Sequence, residues 1–250
     1  MKGKYLIIIP IVIGILLGIY VTNYFQTDFR SDNLLLTNQE LLKNGSPKIG
    51  ISNANVSIVE FGDYQCTFCY KFHQNTFNDI KTQYVDTGKI NYVYRDFPLN
   101  GYDSSLAAEA TYCADDQDKY WQYHNLLFSS WAGEKTGWIT LDSLENLAIK
   151  SDLNISEFNK CLNGHKYYQK VIDNENYAKK IGINATPSFL IFDDEELVRI
   201  IGAQEFEEFQ NVTGFRSLRS ISTQKTPESS KWPRFSGMYI IKAAGVHSTI

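Results

Sequence analysis

The feature that most constrains this chain is a pair of cysteines, Cys66 and Cys69, placed where a strand passes into a helix. An apolar, β-branched run that begins at Val56 and ends near Gly62 predicts the strand. After Cys69 the apolar and aromatic residues recur every three to five positions, which predicts a helix to about Tyr84. Both sulfurs therefore lie on one helical face, where they can form a disulfide.

The start of a helix also favours a reactive thiol. The free N–H groups and the dipole of the first turn supply positive potential that stabilises a thiolate without any charged side chain. A lone Cys-x-x-Cys also fits half of a zinc site, which normally has a second pair of ligands at short spacing. Cys113 and Cys161 stand singly, and although His73 and His124 are candidates to complete a metal site, nothing in the sequence fixes their geometry. The pattern therefore favours a dithiol/disulfide redox centre over a metal site.

The amino-terminal residues predict where such a centre works. Residues 1–4 contain two lysines, and residues 5–25 are uncharged and almost wholly apolar. A helix over this run would span roughly 30 Å, the thickness of a bilayer core. The preceding lysines predict a cytoplasmic N-terminus and an extracytoplasmic domain, anchored in the cell membrane by one transmembrane helix. A cleaved signal peptide is the alternative, although no small-x-small cleavage site follows the run.

The remaining chain divides into a linker, one domain and a tail. Residues 26–46 are mostly polar and are expected to be a linker, whereas residues 47–212 carry the predicted strands and helices. Residues 213–250 are rich in Ser, Thr, Lys and Arg without periodicity, which predicts a disordered tail. The sequence has no basic stripe of the kind that would indicate binding to nucleic acid, and its net charge of −4 does not indicate any class of partner.

The predicted elements of the domain follow a β-α-β, helical block, β-β-α order. A strand at Ile90–Arg95 follows the cysteine helix, which implies a parallel pair with a helical crossover. Between about 104 and 180 the spacing is helical throughout. Alternating runs at Ser188–Phe192 and Leu197–Ile201 then predict an antiparallel hairpin. This order predicts an α/β, thioredoxin-like fold with an inserted helical subdomain.

Three segments in this order carry a specific resemblance to a known family. They read V-E-F-x-D-Y-x-C-x-x-C over Val59–Cys69, Y-R-D-F-P-L over Tyr94–Leu99, and G-I-N-A-T-P-S-F over Gly182–Phe189. Together they resemble the DsbA-type thiol:disulfide oxidoreductases of Gram-positive bacteria and archaea, over residues 47 to about 212. The resemblance implies an enzyme that needs no cofactor beyond its own redox-active disulfide.

The resemblance also implies roles for residues around that disulfide. Cys66 would be the exposed nucleophile and Cys69 the buried resolving thiol. Glu60 matches the family's acidic residue beneath the disulfide, which is thought to exchange a proton with the buried thiol. A carboxyl in an apolar strand is suited to that task. A partly solvated Glu60, or one paired with a lysine, is the alternative.

The opposite wall of the site and the residues between the cysteines are implied in the same way. Thr186 and Pro187 correspond to a cis-proline loop whose backbone pairs with an extended substrate, the alternative being an ordinary trans proline. Thr67 and Phe68 would border that substrate. Many relatives have proline in the first place and some have histidine in the second. Because Phe68 supplies no imidazolium, we expect a centre less oxidising than the most oxidising members.

The other two cysteines are expected to have a structural role. The family often has a cysteine at the positions of Cys113 and Cys161, joined as a bridge within the helical insert. Two buried free thiols are the alternative. The implied activity is the introduction of disulfides into secreted or surface proteins, with protein thiols as substrates and a quinone-linked membrane protein as reoxidant. An isomerase or reductase with the same site, or a membrane-tethered metal- or cargo-binding module, are the competing interpretations.

Overall fold

The computed structural model describes residues 37–51, 54–219 and 238–242. The predicted cytoplasmic terminus (1–4), the predicted anchor (5–25) and most of the predicted linker lie outside the described residues. Among the residues that are described, no helix is both long and apolar enough to cross a membrane. The part of the linker that is described contains a short helix, α1 (Asn38–Leu42).

A mixed sheet of five strands forms the frame of the domain. Its spatial order is β2-β1-β3-β4-β5. The strands are β1 (Val56–Gly62), β2 (Ile90–Asp96), β3 (Ser188–Phe192), β4 (Glu196–Ile201) and β5 (Met238–Lys242). β1 and β2 are parallel, as the predicted crossover requires, and every other neighbouring pair is antiparallel. Strand β1 is buried along its whole length, which explains why its sequence is apolar rather than alternating.

The crossover from β1 to β2 is helical but not a regular α-helix. It starts as α2 (Thr67–Phe72), widens into a π-helical segment (His73–Phe77), tightens into α3 (Asn78–Ile80) and widens again (Lys81–Val85). The π-helical segments explain the irregular spacing in the sequence, because the five-residue step from Phe72 to Phe77 falls on the first of them.

Five helices form the inserted subdomain between β2 and β3. They are α4 (Tyr102–Asp115), α5 (Tyr120–Ser129), α6 (Leu141–Lys150), α7 (Ile155–Asn163) and α8 (Tyr168–Lys180). Their buried side chains form one hydrophobic cluster that extends to Cys66 and Cys69. A second cluster lies between the sheet and the crossover and includes Phe72, Ile80 and Phe209. The insert therefore contributes directly to the walls around the two cysteines.

A disulfide, which the family resemblance implies, and a capping box stabilise the insert. Cys113 on α4 and Cys161 on α7 form a disulfide across a sequence separation of 48 residues. A capping box joins Thr140 and Ser143, each side chain accepting a hydrogen bond from the other's backbone N–H, and starts α6. The bridge thus ties two helices that approach each other in the subdomain.

The end of the chain differs from the predicted disordered tail. Helix α9 (Phe206–Arg219) continues past residue 212, and β5 pairs with β4, with Leu197 opposite Ile241. The pairing has a physical reason, since β5 covers the backbone N–H and C=O groups that β4 would otherwise leave unpaired at the sheet edge. The rest of the predicted tail lies outside the described residues.

Candidate active site

The two cysteines occupy the turn from β1 into α2. Asp63 fixes this turn, because its carboxylate accepts hydrogen bonds from the backbone N–H of Gln65 (2.8 Å) and of Asn100 (2.8 Å) and from the hydroxyl of Ser104 (2.6 Å). Burial raises the pKa of Asp63, and these donors oppose the rise. The turn that presents Cys66 is therefore held to the segment after β2.

The two thiols differ in access. Cys66 immediately precedes α2 and is 6% exposed, whereas Cys69 in the first turn is completely buried. Both are free thiols in this structure. Cys66 is thus the more accessible member of the pair, although it is less exposed than the prediction of an exposed nucleophile implied. Its thiol donates to the carbonyl oxygen of Thr186, 3.4 Å away.

The two thiols also differ in acidity. A hydrogen bond with Cys69 lowers the pKa of Cys66 from 9.0 to about 7. The side chain of Thr186 and the backbone N–H groups of Cys69 and Phe68 lower this pKa as well, and burial opposes them. Burial raises the pKa of Cys69 well above its usual range, and the nearby sulfur of Cys66 and carboxylate of Glu60 raise it further. Near neutral pH Cys66 is therefore partly ionised to the reactive thiolate, whereas Cys69 stays a protonated thiol.

The wall opposite the cysteines is the loop before β3. The Thr186–Pro187 peptide is cis. The carbonyl of Pro187 accepts a hydrogen bond from the backbone N–H of Gly202 at 2.8 Å, which joins this loop to the end of β4. Phe68 is 57% exposed beside Cys66, where an aromatic ring is available to a bound chain. The predicted cis-proline loop is therefore next to the accessible sulfur through Thr186, and the predicted roles of Thr67, Phe68 and Pro187 in binding substrate stay predictions.

Glu60 lies on β1 with no exposed surface. The hydroxyl of Tyr92 donates a hydrogen bond to Oε2 of Glu60, and Nε2 of His73 lies 3.3 Å from the same oxygen. The other oxygen, Oε1, has no hydrogen-bond partner among the described residues. The predicted alternatives of a partly solvated carboxyl or a lysine pair are wrong, because burial is complete and the partners are a tyrosine and a histidine.

His73 is a site residue that the sequence indicated only as a possible metal ligand. It follows Cys69 by four positions, a spacing that places both side chains on the face of the helix that is turned toward Glu60 on β1. Its ring stacks on Phe128 of the insert, with centroids 3.9 Å apart, and its side chain is 4% exposed. His73 is therefore a nearly buried ring between the carboxylate of Glu60 and Phe128 of the insert.

His124 lies behind His73, with ring centroids 4.9 Å apart. Its Nδ1 is 2.7 Å from the hydroxyl of Tyr64, and its Nε2 has no hydrogen-bond partner among the described residues. Burial lowers the pKa of His124 well below its usual range, and the proximity of His73 adds to this. His124 is therefore a neutral ring that packs against His73.

Comparisons with known proteins agree with this geometry. A family model described as Thioredoxin matches residues 43–212. The chain is 30% identical over 148 residues to a probable disulfide bond formation protein D of Bacillus anthracis, covering 57% of this chain and 68% of that protein. It is equally similar, 30% over 153 residues, to the disulfide bond formation protein D of Bacillus subtilis, covering 60% and 68%. The chain belongs to the DsbA-type branch of the thioredoxin family.

Solved structures of that branch share the fold. Oxidised BdbD of Bacillus subtilis superposes with a TM-score of 0.64 at 25% identity, over 71% of this chain and 95% of that chain. The alpha-DsbA1 of Wolbachia pipientis gives a TM-score of 0.64 at 30% identity, over 76% of this chain and 100% of that chain. With this family and this pair of thiols, the protein is a thiol:disulfide oxidoreductase that acts on protein thiols.

Proposed function

We propose that the protein is an oxidase that introduces disulfides into secreted or surface proteins. The observation that carries this proposal is the contrast between the two thiols, since the pKa of Cys66 is lowered to about 7 while that of Cys69 is raised. A stabilised Cys66 thiolate favours the reduced enzyme, so the Cys66–Cys69 disulfide is a good electron acceptor. The redox chemistry resides in these two sulfurs and calls for no further cofactor.

The first step is attack of a client thiolate on the sulfur of Cys66. The bond between the client sulfur and Cys66 forms, the Cys66–Cys69 bond breaks, and Cys69 leaves as a thiolate. A second client thiolate then attacks the client sulfur of this mixed disulfide, and Cys66 leaves as a thiolate. The client loses two electrons and gains a disulfide, and the enzyme is left as a dithiol.

The departing Cys69 thiolate needs a proton because its pKa is raised. Glu60 lies close enough to act electrostatically on Cys69, and it is hydrogen-bonded to Tyr92 and near His73. By the role that the family resemblance implies, Glu60 would exchange that proton with Cys69, and Tyr92 and His73 are its partners in a buried polar cluster. In reoxidation the proton would pass from Cys69 to Glu60.

The cellular setting of the proposal rests on the sequence and the family. The apolar run 5–25 after two lysines favours a single-pass anchor with the catalytic domain outside the cytoplasmic membrane. The Cys113–Cys161 disulfide favours the same compartment, because such bridges persist in oxidising surroundings. A quinone-linked membrane protein is the proposed reoxidant of the reduced enzyme.

Titration of the Cys66–Cys69 couple against glutathione tests the direction of the reaction. An oxidase should have a more oxidising potential than glutathione, whereas a couple as reducing as thioredoxin would support the reductase interpretation instead. Cys69→Ser should accumulate mixed disulfides with clients, and Cys66→Ser should form none and lose thiol oxidation. If the Cys66→Ser variant kept the cellular activity and a stoichiometric amount of metal copurified with the protein, the metal- or cargo-binding interpretation would replace the interpretation as an oxidase.

A further inference from the structure

The loop between α5 and α6 is attached to the start of the active-site helix. The indole N–H of Trp131 donates to the backbone carbonyl of Gln65 at 2.9 Å, and the backbone N–H of Lys135 donates to Oε1 of Gln65 at 3.2 Å. The Trp131 ring stacks on Tyr70 with centroids 4.5 Å apart. These contacts hold the loop on both sides of Cys66 in the sequence.

The attached loop places the carboxylate of Glu134 against the first residue of α2. Its Oε2 accepts hydrogen bonds from the backbone N–H of Thr67 (3.3 Å) and from the Thr67 hydroxyl (3.2 Å). The Thr67 N–H is one of the free amide groups whose positive potential stabilises a thiolate at Cys66. A carboxylate therefore competes with the thiolate for the positive end of the helix.

We propose that Glu134 is a positioning residue that moderates the oxidising power of the Cys66–Cys69 couple, so that the inserted subdomain sets the redox poise of the enzyme. A negative charge bound to the amide of Thr67 weakens the positive potential at the helix start, which disfavours the reduced enzyme and makes its disulfide a weaker oxidant. The inference rests on the proposed function, since moderation has a purpose only in an enzyme that exchanges disulfides.

Other charged groups around this helix start are directed elsewhere. The ammonium of Lys71 lies 5.4 Å from the centroid of the exposed Phe68 ring. Asp63 is buried and turned toward the backbone amides that it binds, and Glu60 acts on the buried Cys69. Among the described side chains, Glu134 is the carboxylate that binds an amide of the first turn of α2.

Charge variants of Glu134 test the inference. Glu134→Gln keeps an acceptor oxygen but removes the charge, so the acid dissociation constant of Cys66 and the equilibrium constant for oxidising glutathione should each rise about two- to fivefold. Glu134→Lys should raise both constants further, and added salt should narrow the spread among the three proteins. Glu157→Gln is the matched control, because it removes the same charge from the first turn of α7. It should leave both constants unchanged.

The order of the constants decides the outcome. Equal constants in Glu134→Gln and Glu134→Lys, or constants that match the unaltered protein, would overturn the role of Glu134. If the loop had a purely structural role, Glu134→Gln and Glu134→Lys would alter the tryptophan fluorescence, but the two constants would not follow the sign of the charge at residue 134. If the unaltered Cys66–Cys69 couple failed to equilibrate with glutathione, the proposed oxidase function itself would fail. That result differs from one in which the couple equilibrates with glutathione but its equilibrium constant does not change in the Glu134 variants.

Discussion

The lowered pKa of Cys66 makes the stability of the reduced protein depend on pH. A thiol with a pKa of 9.0 in the unfolded chain and about 7 in the folded protein stabilises the fold as a thiolate. The contribution is complete above pH 9.0 and is lost as the pH falls through about 7. Between about pH 6 and about pH 8 this linkage amounts to about 1.3 kcal/mol.

Substitution of Cys66 by serine isolates that contribution, because serine does not titrate in this range. The quantity to compare is the difference in the free energy of unfolding between the reduced protein and reduced Cys66→Ser. We expect this difference to be about 1.3 kcal/mol larger at about pH 8 than at about pH 6. Urea unfolding under reducing conditions measures both values. The oxidised protein is the control, since neither disulfide-bonded sulfur titrates.

The result also bears on the oxidase reaction. Stabilisation that exists only in the reduced enzyme is the thermodynamic driving force by which the enzyme takes electrons from its client. A difference between the reduced protein and Cys66→Ser that stayed constant over this pH range would refute a thiolate stabilised by the fold. It would also remove the observation on which the direction of the reaction is proposed.

Three further predictions follow from the same structure. Replacing Cys113 and Cys161 together by alanine should lower the free energy of unfolding by about 4 kcal/mol, from the chain entropy of a loop of 48 residues. The urea midpoint should fall while the ultraviolet titration of the Cys66 thiolate stays unchanged, and an unaltered midpoint would contradict the structural role. Glu60→Gln should slow reoxidation of the reduced enzyme about tenfold or more near neutral pH in stopped-flow fluorescence, because the proton route to the buried thiol is lost. An unchanged rate would exclude a proton-transfer role. Phe68→His should lower the pKa of Cys66 below about 7 and shift the glutathione equilibrium toward a stronger oxidant, since an imidazolium would then lie beside the thiolate. An unchanged pKa of Cys66 in Phe68→His would contradict the expected influence of residue 68 on the thiolate.

The local part of the site could be predicted from the sequence because its geometry is local. The strand, the turn and the helix start that present Cys66 and Cys69 are encoded within a few residues of each other, by an apolar run followed by a change of spacing. The family motif supplied the position of Pro187, which no local pattern would have placed opposite the sulfurs. These are the parts of the prediction with which the structure agrees.

The contacts that tune the site join residues far apart in the chain. Tyr92 reaches Glu60 only because β1 and β2 are parallel neighbours, and their register decides which side chains meet. Glu134 meets Thr67 because a loop of the insert turns back over the helix start. The pairing of β5 with β4 was missed for the same reason, since a short apolar run does not reveal its partner.

The two π-helical segments have a consequence for insertions and deletions in the crossover. A π-helical turn accommodates one more residue than the α-helical turn it replaces. Removing one residue from His73–Phe77 would therefore restore a regular α-helix and leave the residues after the deletion on the face they now occupy. Ile80 would stay in the cluster beneath the sheet, and Cys66 and Cys69 would keep their places. The crossover can thus lose one residue at this π-helical segment without moving the redox turn relative to the core beneath it.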